Sequence, residues 1–292
     1  MRGHDGTPRI IVRKADGSHE PFHEEKLVKS LRRAGASDEV IQEILTHLAA
    51  HHYGEMTSQQ IYEHAFRRLK QHEPFSAARY SLRRALFSLG PTGFPFEDFI
   101  AEVFRAQGYV AQAGVRMQGK CLDHEIDLVA ERGNTRVFAE LKFHNDPSQR
   151  TDVKVALYVQ ARFADLESHA RTLAQAAPYL LKKMLITNTK FTQSAIRYAS
   201  CVGLSLLGWS YPPKGNLRDL IEETRTIPIT TLVHLTQTEK DALLARGVLL
   251  CRTLLEHPET LEDAGISKTK HDTILDESRY LCGGGRGVYT RW

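Results

Sequence analysis

The sequence predicts an α/β multidomain protein: a mostly helical N-terminal domain with a small β-hairpin, an α/β core, and a small helical module at the C-terminus. Three observations support this. Apolar residues recur at helical spacing between Leu27 and Ser88; from Phe94 the pattern runs helix, strand, strand, helix, strand, as an α/β core requires; and helical spacing returns from Leu232 to Leu281. A chain of 292 residues exceeds one ordinary core and suits two compact domains plus a smaller third.

The elements follow in order. Arg9 to Lys14 is a short apolar and basic run, Ala15 to Ser18 is a turn signal, and His19 to Phe22 completes a hairpin. Three helices are marked by Leu27, Leu31 and Ala34, by Val40, Ile41, Ile44, Leu45 and Leu48, and by Ile61, Ala65, Phe66 and Leu69. Thr57, with Gln60 three residues on, reads as a capping box opening the third. A fourth helix, Ser76 to Ser88, carries Arg79, Arg83 and Arg84 and stops at Gly90-Pro91-Thr92-Gly93, so the first domain spans 8–90. The second domain, 94–213, opens with a helix over Phe96 to Gln107 that turns Phe99, Val103 and Phe104 inward. Strands at Glu125 to Ala130 and Arg136 to His144 flank Gly133-Asn134, a helix runs from Val153 to Ala177, and buried strands lie at Met184 to Asn188 and Leu204 to Gly208. A helical module with breaks at Gly247 and Gly265 occupies 228–282, and 283–292 is a tail expected to be mobile.

Composition narrows the function classes. A hydrophobic fraction of 41% with 25% charged residues is that of a soluble globular protein, and the formal charge of +4 permits a polyanionic partner without demanding one. Cys121, Cys201, Cys251 and Cys282 form no CxxC pair, so they are expected to be buried and reduced. With no apolar leader and no long apolar stretch, the expected location is the cytoplasm.

The chemistry concentrates in the second domain. Alternate side chains of a strand share a face, so Glu140 and Lys142 project together while Val137, Ala139, Leu141 and Phe143 face a core. In the preceding strand Ile126, Leu128 and Ala130 share one face and Asp127 takes the other. The short Gly133-Asn134 connection makes the strands antiparallel neighbours, which brings Asp127 towards Glu140. Two carboxylates converging with no compensating arginine suit a hard cation such as Mg²⁺, held by Asp127 and Glu140. Lys142 is placed to hold an attacking water or meet developing negative charge, and Glu97, at the start of the preceding helix, to orient Lys142 or touch a second ion.

Glu97, Asp127 and Glu140-Leu141-Lys142 together resemble the restriction-endonuclease-like nucleases of the PD-(D/E)xK superfamily, particularly the Mrr-like and Holliday-junction-resolvase branches. Gly108-Tyr109, Ile126 to Val129, Gln160 and Leu185 to Asn188 extend the likeness, with Ile126 standing where the superfamily name has proline. The resemblance implies a central mixed sheet, catalytic roles for Glu97, Asp127, Glu140, Lys142 and Gln160, and Mg²⁺, with Mn²⁺ as the alternative. It further implies an endonuclease that hydrolyses DNA, in restriction, defence or repair. Alternatives are a catalytically idle nucleotide-sensing DNA-binding regulator, and a structure-specific or RNA nuclease.

Upstream, Ile11 to Gly17, Phe22, Lys26, Thr57-Ser58 and Ala77 to Tyr80 resemble the ATP-cone, an allosteric ATP/dATP sensor. The resemblance implies nucleotide contacts at Val12, Arg13, Lys14, Lys26 and Thr57, and a homo-oligomer whose assembly responds to ATP or dATP. Arg13 and Lys14 beside a tight turn also make a plausible triphosphate cradle by themselves. Near the C-terminus, Leu243 to Val248 and Ala264 to Lys268 loosely resemble a helix-hairpin-helix module; a packing or dimerisation appendage is the alternative.

Overall fold

The structure, a computed structural model, describes residues 10–14, 17–51, 54–90, 93–172 and 180–283. The expected turn at Ala15 and Asp16, the break at Pro91 and Thr92, the far end of the helix towards Ala177 and the tail beyond Gly283 lie outside these residues. The described residues fall into two compact units, one formed by those up to Ala85 together with those from Ile229, the other by Leu86–Pro228.

The first unit begins with the hairpin β1 (Ile11–Arg13) and β2 (His19–Pro21), which pair antiparallel. Helices α1 (Glu24–Ala34) and α2 (Asp38–His51) follow, then β3 (Glu55–Thr57), which joins β1 in parallel to complete a sheet of order β2-β1-β3. β3 has no counterpart in the sequence reading, because three residues carry too little periodicity to announce a strand whose partner is distant. Thr57 closes β3 and caps α3 (Ser58–His72) through the expected capping box, accepting from the Gln60 N–H at 3.1 Å while Gln60 Oε1 accepts from the Thr57 N–H at 2.8 Å. The fourth expected helix is two helices, α4 (Pro74–Tyr80) and α5 (Leu82–Phe87). At their junction the Ser81 hydroxyl donates to the Ala78 carbonyl at 2.8 Å, a local bond that competes with the helical ladder.

The second unit is built on a five-stranded mixed sheet of order β10-β8-β6-β5-β4. Its elements are α6 (Phe94–Ala106), β4 (Val110–Gln118), β5 (Asp123–Arg132), β6 (Thr135–Lys142), the short β7 (Arg150–Thr151), α7 (Val153–Thr172), β8 (Leu180–Thr187), β9 (Lys190–Phe191), α8 (Gln193–Val202), β10 (Ser205–Leu207) and α9 (Leu217–Thr224). β4, β5 and β6 are antiparallel, whereas β8 and β10 extend the sheet in parallel. β4 escaped the sequence reading although its exposure alternates residue by residue: it is an edge strand whose first inward residues, Ala111 and Ala113, are small, with Gly114 in its middle and exposed Val110 at its start. Gly133 turns β5 into β6 with φ +57°, as the first central residue of a II′ hairpin requires. Phe143 meets Phe96 of α6 at 5.4 Å between ring centres, and Phe138, on the other face of β6, meets Phe163 of α7 at 6.3 Å. The sheet is therefore covered on both faces. Phe96, Phe99, Ile100 and Phe163 are fully buried, each contributing about 1.5–3 kcal/mol.

The chain then returns to the first unit with a 3₁₀ turn (Ile229–Thr231), α10 (Gln237–Leu244), α11 (Cys251–Glu256), α12 (Thr260–Asp263) and α13 (Lys268–Gly283). Tyr280 of α13 stacks on Phe75 at 4.6 Å, Arg79 of α4 lies 5.0 Å from the centre of the Tyr280 ring, and the Thr230 hydroxyl donates to the Ala85 carbonyl at 2.8 Å. The C-terminal helices thus pack on the N-terminal ones. Buried Glu277 of α13 ties the entry segment, accepting from the Val233 N–H at 2.8 Å and contacting His234 Nδ1 at 2.8 Å. None of the four cysteines forms a disulfide, but only Cys251 is buried, and Cys121 and Cys201 are exposed, contrary to expectation. Among the described residues no helix is long and apolar enough to cross a membrane.

Candidate active site

The paired register of β5 and β6 ends at Leu128 and Ala139, one residue short of Asp127 and Glu140, and Ile126 joins Phe138 and Phe163 in the core on the α7 side, so the strict alternation read from the sequence breaks at Asp127. Asp127 turns into the ladder: its Oδ2 accepts from the Leu141 N–H at 2.7 Å, which fixes the carboxyl at the junction between β5 and β6. Glu140 and Lys142 follow on the same side of β6, and Lys142 is exposed. Glu97 comes from the first turn of α6, where a carboxylate is favoured by the helix dipole.

Electrostatics show that these groups act on one another. Burial pushes the Glu140 carboxyl up to about 7, with Asp127 and Glu97 adding to the rise. Glu97 is likewise pushed up to about 7 by burial, then by Asp127, Asp98 and Glu125. Asp127 is raised by burial, against which the Leu141 N–H and the positive charges of Arg162 and Lys142 act. Three acids therefore share a poorly solvated space, and each ionised one makes ionising the others harder.

One expectation is overturned here. The carboxylates do have a compensating arginine: Arg162 of α7 places Nη1 2.5 Å from Glu140 Oε2, with only 12% and 17% of the two side chains exposed. Arg162 also donates to the Glu125 carbonyl. The sequence reading missed it because α7 lies beyond β6 in the chain, and nothing in the helix pattern says which face meets β6. Gln160 sits two residues before Arg162, and its Oε1 is buried without a hydrogen-bond partner.

Neighbouring side chains hold this end of the sheet. Asn188 zips the segment after Lys142, accepting from the His144 N–H at 2.9 Å and donating to the His144 carbonyl at 2.8 Å, while the Thr187 hydroxyl donates to the Lys142 carbonyl at 2.7 Å. Asp165, one turn after Arg162, docks α7 on the β4–β5 connection: it accepts from the Cys121 N–H at 2.9 Å and the Leu122 N–H at 3.3 Å, and meets His124 Nε2 at 2.8 Å. These contacts pull the Asp165 carboxyl down to about 2, the His124 hydrogen bond most of all. Gly119 leaves room for them, since a Cβ there would lie 2.1 Å from Asp165 Oδ2.

The carboxylate oxygens of Asp127 and Glu140 are the kind of donor a hard cation takes. Among the described residues no three His, Cys, Asp or Glu side chains gather as a group that could hold a metal ion.

The residues expected at a nucleotide site divide between two faces of the N-terminal sheet. Arg13 pairs in register with Thr57 of β3, and its side chain meets Glu55 at 2.9 Å. Lys14 and Lys26 instead flank Glu20, at 2.7 and 3.3 Å, on the face of buried Val12. Lys14 lowers the Glu20 carboxyl below its usual range through its hydrogen bond, and Lys26 adds to this. Nearby, Tyr62 and Tyr80 stack at 5.0 Å beneath Arg84, whose guanidinium lies 4.0 Å from the Tyr62 ring centre.

Comparison with known proteins agrees with this layout. Three family models match, described as ATP cone domain over residues 10–86, restriction endonuclease over 91–207, and AF1548-like, C-terminal over 228–282. An uncharacterized protein of Archaeoglobus fulgidus is 36% identical over 185 residues, 63% of this chain and 100% of that protein. The crystal structure of a protein of unknown function, AF1548, is 34% identical, covering 68% of this chain and 99% of its own, with a TM-score of 0.51. The MspJI restriction endonuclease in complex with a 27-mer oligonucleotide is 18% identical, covering 59% of this chain and 36% of its own, with a TM-score of 0.31. The chain belongs to the AF1548-like family, with an ATP cone preceding its restriction-endonuclease-like domain and AF1548-like C-terminal domain.

Proposed function

We infer that the restriction-endonuclease-like domain is a metal-dependent nuclease that hydrolyses DNA phosphodiester bonds, and that ATP or dATP on the cone controls it. The observation that carries the first part is the gathering of Asp127, Glu140 and Lys142 at adjoining positions of β5 and β6, with both carboxyls poorly solvated. Like charges crowded in such a space destabilise a fold, and sites that keep them commonly use them.

When bound at Asp127 and Glu140, Mg²⁺ or Mn²⁺ supplies Lewis-acid charge to a phosphate oxygen and acidifies a water. The chain's own groups do the rest. Lys142, on the open side of Glu140, orients the attacking water and meets negative charge growing on the phosphate. Glu97, whose carboxyl is pushed up to about 7 by burial and its acidic neighbours, is suited to exchange a proton near neutral pH. Gln160 Oε1 offers the water an acceptor.

Supercoiled plasmid, branched DNA and RNA, each incubated with Mg²⁺ and with or without ATP or dATP, test this reading and identify the substrate. Lys142→Ala should slow cleavage by about 10²–10³-fold while leaving nucleotide binding unchanged; undiminished cutting refutes the assignment. A second reading, an idle DNA-binding regulator, is favoured by the Arg162–Glu140 ion pair, since a centre that needs no metal can keep its own cation. Binding of all three substrates without cleavage of any would decide for it.

For the cone, the support is that Lys14 and Lys26 already share one carboxylate, Glu20, so two cations are gathered before a triphosphate arrives, while Arg13 pairs with Glu55 on the other face. The proposal includes a cytoplasmic homo-oligomer whose assembly follows nucleotide occupancy. Light scattering that finds the same mass with ATP, dATP or neither counts against that assembly.

A further inference from the structure

The chemistry above leaves Arg162 without a role. Its guanidinium reaches both Glu140 Oε2 and the Glu125 carbonyl, yet its Nε is buried with no acceptor, so the pose leaves one donor unmet. It also stands against Glu140, one of the two carboxylates read as metal ligands. A guanidinium and a divalent ion compete for the same oxygens and repel each other across them. An exit lies close by. Tyr158, one helical turn earlier on α7, is 59% exposed, and its ring centre is already 5.4 Å from Arg162 Cζ while the guanidinium holds Glu140. Residues four apart on a helix are neighbours, so a guanidinium that leaves Glu140 can keep this ring contact as it turns outward to solvent. From there its planar fork matches the paired oxygens of a phosphodiester.

We propose that Arg162 is an exchangeable counter-ion, which holds Glu140 in the metal-free protein, yields it to an entering divalent cation, and then binds a DNA phosphate. This rests on the reading of Asp127 and Glu140 as metal ligands. One side chain then links metal occupancy to DNA affinity, and the Arg162–Glu140 pair belongs to the resting state of an active enzyme.

The test uses the full chain and needs no turnover. Mn²⁺ binding is measured by calorimetry, and binding of a duplex by fluorescence anisotropy in Ca²⁺ and in EDTA, for wild type, Arg162→Met and Arg162→Lys. Arg162→Met should bind Mn²⁺ about tenfold more tightly, and should bind duplex several-fold more weakly in Ca²⁺ but equally in EDTA. Unchanged or weaker Mn²⁺ binding, or an equal loss of DNA affinity in EDTA, overturns the proposal. If Arg162→Met does not fold, Arg162→Lys, which keeps the charge but loses the fork, should still show the Ca²⁺-dependent loss of DNA affinity, and its absence overturns the proposal. The Asp127→Asn, Glu140→Gln double variant separates the two levels. Mn²⁺ binding that survives in it removes the metal reading and the counter-ion together; Mn²⁺ binding lost there but unaltered in Arg162→Met removes the counter-ion alone.

Discussion

The two units hold their charges in opposite ways. In the cone, Arg13 and Glu55 are each about half exposed, and Lys14 and Lys26 sit on Glu20 at the surface. In the nuclease-like domain, Glu140 and Arg162 are nearly covered, and Asp127 and Glu97 crowd beside them. Exposed pairs are worth little and rearrange cheaply, which suits a surface that trades its glutamates for a ligand. Covered charges are not left unpaired, so one yields its partner only to a competing charge such as an entering cation, which suits a centre whose carboxylates must be in place beforehand. On the proposed function, the same residue types would serve a responsive site in one unit and a pre-set one in the other, with solvent exposure making the difference.

If that contrast holds, disturbing the packing around the pre-set site should cost most. Gly119→Ala places a methyl 2.1 Å from Asp165 Oδ2 and 2.6 Å from the Leu122 carbonyl, so it should destabilise this domain by about 1–3 kcal/mol in denaturant unfolding. A wild-type midpoint in that variant would show that the Asp165 contacts yield more readily than the contrast supposes.

Acid should then act through Asp165. Its folded carboxyl titrates at about 2, below the ordinary 3.8, so its stabilising contacts are fully present above about pH 4 and are lost as pH falls towards 2. Asp165→Asn should therefore reduce the difference in stability between pH 5 and pH 2, followed by circular dichroism. Parallel curves for the two proteins would remove Asp165 from the acid response.

The smallest structural effect belongs to the cone. Glu55→Ala removes the exposed partner of Arg13 and should change stability by less than about 1 kcal/mol, while tightening ATP or dATP binding because Arg13 no longer has to leave a carboxylate. Calorimetric titration that gave a weaker affinity would mean that Glu55 positions Arg13 rather than competing for it.

Much of this was legible beforehand. The alternation in β6 marks Glu140 and Lys142, the two-residue turn at Gly133 makes β5 and β6 antiparallel neighbours, and Thr57 with Gln60 announces its own cap. Each signal is local, fixed by the strand repeat, a turn conformation or one helical turn. β3 and β4 left weaker signals, one for its shortness and the other for its edge position and glycine. Long-range meetings left none: Arg162 reaching Glu140, Asn188 zipping His144, and Tyr280 stacking on Phe75.

By itself, then, the sequence determined the α/β class, the order of the elements, and which acids and lysine stand together on β5 and β6, because backbone geometry dictates those relations over a few residues. Only the tertiary structure decided that an arginine from α7 neutralises Glu140 and that the last helices complete the N-terminal unit. Those outcomes depend on which helix faces the sheet and which surfaces bury one another, and no repeat within a single element encodes them.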